Sequence, residues 1–451
     1  MARGNLLEGN LYRTILRLSL PIMVNNFIQT LYNLVDSLWL GRVGSDELAA
    51  VSFVWPINSL FIAMGMGLSI AGISLMSQHL GADEREEANR YATQLTAVAV
   101  LSGVVFGLIG SALSEPFVRL MGAQGDMMEY SAAYLHIQFL DTPFMFFYYI
   151  FNAIMNAQGN TLTPTLISGV SALMNMVLDP LFIFVFHMDV EGAALATVLS
   201  KVTMALAGAY VLWKNHGVIS LDFHHFRFDR ERISRCMKVA LPSIIGQSGS
   251  SFGFIVLNSF IVSYGTATMA AFGMVNKIFD LVNQPFSSVA GSLTAIVGQN
   301  IGANNLQRAK EAFFKVSRIV MIGGSFVALF LFFFRYPLID FFLPTKDEPE
   351  TIRQALEFLQ IMAWSAPLMG MFFTFQGLFQ GSGHTKYSMA MEVGRLWGMR
   401  LPMILLFKTF TDIGSLGVWI SMTSSNFLIC VFAFLMYRYG KWQQPALHHK
   451  K

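Results

Sequence analysis

Two aspartates interrupt long apolar runs. Asp36 closes Leu31-Tyr32-Asn33-Leu34-Val35-Asp36, and Asp179 closes Asn175-Met176-Val177-Leu178-Asp179 ahead of Pro180. Residues three or four apart share a helix face, so Asn33 points with Asp36 and Asn175 with Asp179. Counting in from the outer ends of their runs places Asp36, Asp179 and Thr197 at one depth, roughly 8–10 Å below the boundary at about 1.5 Å per residue. Two carboxylates, two amides and a hydroxyl then converge. These hard oxygen ligands suit Na⁺. They suit H⁺ equally, because two neighbouring carboxylates in low dielectric cannot both stay ionised cheaply, so one keeps a proton. The candidate cation-coupling set is Asp36, Asp179, Asn175, Thr197 and Asn33, and Asp36, Asp179, Asn175 and Thr197 are the candidate Na⁺ ligands. A structural hydrogen-bond cluster is the alternative use of the same side chains.

The elements that must carry them are membrane helices. Hydrophobic residues make up 54% of the 451-residue chain and charged residues 13%, against roughly a quarter charged in soluble domains. About 20 apolar residues cross a bilayer as a helix. Twelve such spans are expected, near 14–40, 50–77, 91–113, 131–156, 162–186 and 192–214, then 234–263, 268–297, 311–334, 353–380, 385–410 and 414–438. A buried charge in such a span costs about 2.5–3.5 kcal/mol on insertion scales and usually has a task. The reading is an all-α polytopic membrane protein with a first lobe at 1–214, a cytoplasmic linker at 215–232 and a second lobe at 233–451.

The two lobes repeat one another. Leu20-Pro21 returns as Leu241-Pro242, and at the same offset Gly44, Gln78 and Ala82 meet Gly265, Gln299 and Ala303. With small insertions, Pro143 meets Pro367 and Gly159 meets Gly383. Six spans per copy is an even number, so both lobes insert the same way and their pseudo-two-fold axis should follow the membrane normal. Several spans carry a mid-helix proline, which tends to kink a helix; Pro21 is a hinge candidate. The chemistry does not repeat, since Phe254, Leu257 and Leu401 stand opposite Asn33, Asp36 and Asp179. The second lobe carries Lys277 with Asp280 and Glu392 with Arg395, each pair at i,i+3. These are either self-satisfied ion pairs that staple the lobe or contacts for substrate or headgroups. Asn152 in span four is a further substrate candidate.

Placed with both termini inside, the cytoplasmic segments hold 20 Lys and Arg, the outer loops 6, and four lie within helices. That asymmetry fits the positive-inside rule. Nucleic-acid binding is a poor reading because no basic domain stands clear of the membrane. There is no phosphate loop for ATP and no H-E-x-x-H or paired-cysteine zinc motif. His136, His187 and the tail pair His448-His449 are scattered. Cys236 and Cys430 show no pairing pattern. An enzyme is not expected, nor a cofactor beyond a coupling ion.

Asn33-Leu-Val-Asp36, Gly41, Leu48-Ala49-Ala50, Gln78-His-Leu-Gly81-Ala82 and Asn175-x-x-x-Asp179-Pro180-Leu181 together resemble the multidrug and toxic compound extrusion (MATE) family. The resemblance covers essentially the whole chain. It implies export of organic cations and other amphipathic drugs against H⁺ or Na⁺ by alternating access, from a bacterial-type plasma membrane. It also implies that Asp36, Asn175, Asp179 and Thr197 match the acidic first-lobe site of the DinF-like branch, that Pro21 matches the kinking proline, and that Tyr32 matches a site-adjacent tyrosine. The chain departs from the NorM-like branch, whose second-lobe acids are missing from spans seven and ten. A flippase for lipid-linked precursors is the nearest rival, kept open by Lys277, Arg395 and Arg400. A lone chain is expected to suffice, because two fused lobes leave no need for a partner subunit.

Overall fold

A computed structural model describes residues 6–214, 218–224, 226–342 and 348–444. Linker residues 215–217 and His225, and the tail pair His448-His449, lie outside the described residues. Among those described, every regular element is helical. The chain divides into two compact units, Met1–Leu6 with Leu20–Ile244, and Leu7–Ser19 with Ile245–Lys451.

The first copy comprises α1 (Leu11–Val43), α2 (Ser45–Gly81), α3 (Arg85–Ala112), the short α4 (Ser114–Leu120), α5 (Asp126–Gln138), α6 (Thr142–Ala157), α7 (Leu162–Pro180) and α8 (Asp189–Lys214). The second comprises α9 (Arg230–Val262), α10 (Thr266–Gly302), α11 (Leu306–Phe333), the short α12 (Arg335–Phe342), α13 (Pro349–Ala363), α14 (Ala366–Gly381), α15 (Thr385–Val393), α16 (Leu401–Phe410) and α17 (Ser415–Tyr439). Counting α5 with α6, α13 with α14 and α15 with α16 as single columns gives twelve spans, six in each copy. Among the described residues seven helices are individually long and apolar enough to cross a membrane, and the bent pair α13–α14 makes an eighth.

Four of the spans that carry a mid-helix proline are interrupted. A 3₁₀ turn over Phe139–Asp141 separates α5 from α6, and Pro143 sits in the first turn of α6. Its counterpart Pro367 opens α14, where the column bends by 52°. A π-helical turn over Leu181–Val185 follows Pro180, and another over Gly394–Arg400 precedes Pro402. Proline removes a backbone donor and crowds the preceding turn, so the ladder must break or widen there.

Glycines seat these breaks. A Cβ on Gly103 of α3 would lie 2.6 Å from the Pro143 Cα, and one on Gly107 would lie 2.9 Å from the Phe139 carbonyl. The second copy repeats the device: a Cβ on Gly324 of α11 would lie 2.6 Å from the Pro367 Cα. Without a hydrophobic force between helices in lipid, close backbone approach through small residues is what holds such columns together.

Candidate functional site

The site is built inside the first unit. A cavity of about 750 Å³ opens between α1, α2, α6, α7 and α8, and Asn33, Asp36, Tyr32, Asn152, Asn175 and Thr197 all line it. The regular α1 puts Tyr32, Asn33 and Asp36 along one side. Asp36 is partly exposed, while Asp179 is fully buried behind it. The two carboxyl groups face each other; carboxylates only accept, so a hydrogen bond between them would require a shared proton.

Neighbouring helices fix the pair. Asn175, 1% exposed, sits best with its nitrogen donating to Asp179 Oδ2 at 2.9 Å and its oxygen accepting from the Thr197 backbone N–H at 3.2 Å. The opposite orientation would set oxygen against oxygen. The Thr197 hydroxyl lies 3.4 Å from the Tyr32 hydroxyl. The π-turn after Pro180 lies just beyond this cluster. Pro21 does not line the cavity. Its carbonyl accepts from the Thr165 hydroxyl at 3.0 Å, tying α1 to α7. Asn152 is on the wall and accepts from the Asn156 amide.

Two further charges belong here that spacing did not single out. Lys201 lines the same cavity, and its Nζ lies 2.5 Å from Asp141 Oδ2. Asp141 is 2% exposed and also accepts from Gln138 Nε2 at 2.9 Å. The charge of Lys201 is felt at Asp36. Lys201 follows Thr197 by one helical turn, a spacing that points it to the same side. Asp141 stands in the sequence Asp141-Thr142-Pro143, a polar break ahead of a proline, and that was its only signal.

A family model described as MatE matches residues 21–181 and, separately, 242–406. The chain belongs to the MatE family. The two matches are the two halves of the internal repeat. The probable multidrug resistance protein YpnP of Bacillus subtilis is 28% identical, with 98% of each chain covered. The multidrug export protein MepA of Staphylococcus aureus is 24% identical over 95% of this chain and 94% of its own. A crystal structure of a MATE protein in complex with MaL6 superposes with a TM-score of 0.92 at 26% identity, covering 97% of this chain and 98% of that one. A MOP-superfamily transporter from Pyrococcus furiosus, described by a reversed polarity of its binding pocket, gives 0.91 at 26% identity. This MatE-family chain is therefore a multi-pass membrane transporter and not an enzyme.

Within the second unit the charged residues do not form the expected ion pairs. Lys277 and Asp280 are both exposed, and no ion pair joins them among the described residues. Glu392 is 7% exposed and bonds through Oε1 to Gln376 Nε2 at 2.5 Å. Arg395 lies over the Phe372 ring at 4.7 Å and reaches Asn426 Oδ1 at 3.3 Å. Arg400 reaches the same oxygen at 2.9 Å and Ser425 Oγ at 3.0 Å. The π-turn over Gly394–Arg400 adds a residue to that stretch and turns both guanidinium groups toward α17 rather than toward Glu392. Leu257 and Leu401, the counterparts of Asp36 and Asp179, lie together in one apolar core cluster with Trp419.

Proposed function

We propose that this transporter is a secondary active exporter that exchanges organic cations and other amphipathic drugs for H⁺ or Na⁺ by alternating access, with Asp36 and Asp179 as the coupling pair. The observation that carries it is the pair of facing carboxyl groups, Asp36 on the wall of a cavity of about 750 Å³ and Asp179 buried behind it. A buried pair that shares a proton changes its charge when the proton leaves or a cation enters, and that change alters how the surrounding helices pack. The relatives YpnP, a probable multidrug resistance protein, and MepA, a multidrug export protein, support drugs as the exported class. Asn175, with its nitrogen toward Asp179 and its oxygen toward the Thr197 backbone N–H, steadies the acid pair. The charge asymmetry of the loops supports cytoplasmic termini in a bacterial plasma membrane.

The decisive measurement is efflux from proteoliposomes with the pH and Na⁺ gradients imposed separately. The wild type should respond to one of the two. Asp36→Asn should fold and lose that response. Wild-type efflux in Asp36→Asn would remove the mechanism.

A further inference from the structure

A fixed ammonium inside a chamber built for cations needs an explanation. Lys201 lines the cavity with a quarter of its side chain exposed, and Asp141, which holds it, is 2% exposed. The pair is well fixed: Asp141 also accepts from Gln138, itself a cavity residue. Asp141 before α6 touches Lys201 and Asp36 of α1 lies within its field; Tyr32 of α1, Tyr134 of α5, and Tyr148 and Tyr149 of α6 line the same cavity, and Asp179 of α7 is buried behind Asp36. On the proposed coupling, the facing Asp36–Asp179 pair shares one proton and carries a single negative charge. Asp141 adds a second, and Lys201 cancels one of the two. The chamber is left with one negative charge, matched to a singly charged guest.

We propose that Lys201 is a specificity-determining residue that sets the chamber charge, so that the site prefers singly charged organic cations over doubly charged ones. It acts through its field and need not touch the guest. The assignment deepens the cation-export reading above and rests on it.

Removing Lys201 leaves an extra negative charge that a dication feels twice as strongly as a monocation. For charges several ångströms apart at an effective dielectric near 20, the ratio of the two affinities should change on the order of tenfold. Deleting only one member of a buried ion pair strands the other, whereas deleting both is often well tolerated. The test therefore measures binding of tetraphenylphosphonium and of benzyl viologen to the purified full-length transporter in detergent. Lys201→Gln should raise the benzyl viologen preference about tenfold. Asp141→Asn should lower it by a similar factor. The double variant Lys201→Gln/Asp141→Asn, which restores the net charge, should return to the wild-type ratio, and Lys201→Arg should keep it. Were the pair merely structural, both single variants would weaken the two probes alike and leave their ratio at the wild-type value. An unchanged ratio in Lys201→Gln, or in a well-folded double variant a ratio far from wild type, overturns the assignment. Failure of the wild type to bind either probe would instead overturn the cation-export reading, and this assignment with it.

Discussion

At the scale of single residues, the contacts around Asp179 are unequal, and that inequality can be measured. Asn175 donates to Asp179 Oδ2 at 2.9 Å, whereas Thr197 and Tyr32 face each other at 3.4 Å, long for two hydroxyl groups. Leaving a buried acceptor unsatisfied costs about 1–3 kcal/mol, while losing an ordinary hydrogen bond costs about 0.5–1.5 kcal/mol. Asn175→Leu should therefore cut gradient-driven efflux roughly tenfold or more, and Thr197→Val only about two- to threefold. Initial rates in proteoliposomes, normalised to reconstituted protein, would show the order, and a Thr197→Val defect larger than that of Asn175→Leu would contradict this geometry. How legible these residues were followed from how local their partners are. Asn33, Asp36, Asn175 and Asp179 declared themselves through helical spacing within one segment. Asp141 and Lys201 did not, because their contact spans 60 residues of chain and depends on the 3₁₀ turn that breaks the fourth column. Lys277 and Asp280 share the i,i+3 spacing, but both are exposed and no ion pair joins them among the described residues.

At the scale of elements, the repeat was legible to the residue. Helices α2 and α10 are both 37 residues long, and α3 and α11 are both 28. The left-handed residues that close α2 and α10, Asp83 and Asn304, also correspond. The breaks were less visible, because a proline in a membrane helix can kink, widen or end it, and packing decides which. The glycines of α3 show that decision. Gly103→Ala would press a methyl group against Pro143 and should cost about 1–3 kcal/mol, the usual penalty of overpacking. Gly273→Ala in α10, where a Cβ meets nothing within 4 Å, should be neutral or slightly stabilising through helix propensity. Apparent melting temperatures in detergent compare the two, and equal shifts would mean that α3 has room to move aside. The linker makes a second test. Asp229 caps α9, its Oδ1 accepting from the backbone N–H groups of Glu231 at 2.9 Å and Arg232 at 3.1 Å. The Arg232 backbone N–H, and then its guanidinium, hold the Asp229 carboxyl below the ordinary carboxylate range. A lowered folded-state pKa means the cap contributes fully above about pH 3.9, the unfolded value, and fades as pH falls through the folded one. Asp229→Ala should loosen the first turn of α9 by about 0.5–2 kcal/mol. Faster amide exchange near Ile233 at neutral pH would show it, and wild-type and variant should converge in strong acid.

At the scale of the whole molecule, one fold is used twice and its chemistry once. Positions 36 and 179 of the first copy hold two facing acids, the proposed coupling pair, and the matching Leu257 and Leu401 of the second are buried in an apolar cluster. A leucine there cannot load a cation, so the second copy has to use its buried polar groups differently. Glu392 rests on Gln376, and the two guanidinium groups of Arg395 and Arg400 share Asn426, contacts that resemble a packed polar core more than a site open to exchange. Ion coupling should then reside in one copy only. Asp280→Asn and Glu392→Gln should each keep the dependence of efflux on the imposed gradient, with rates within about threefold of wild type, because neither touches the loaded pair and the glutamine keeps a partner for Gln376. Asp36→Asn should abolish that dependence in the same vesicles. If Glu392→Gln also abolished it while the protein stayed folded, the second copy would carry a coupling site of its own, and the division of labour drawn from Leu257 and Leu401 would be wrong.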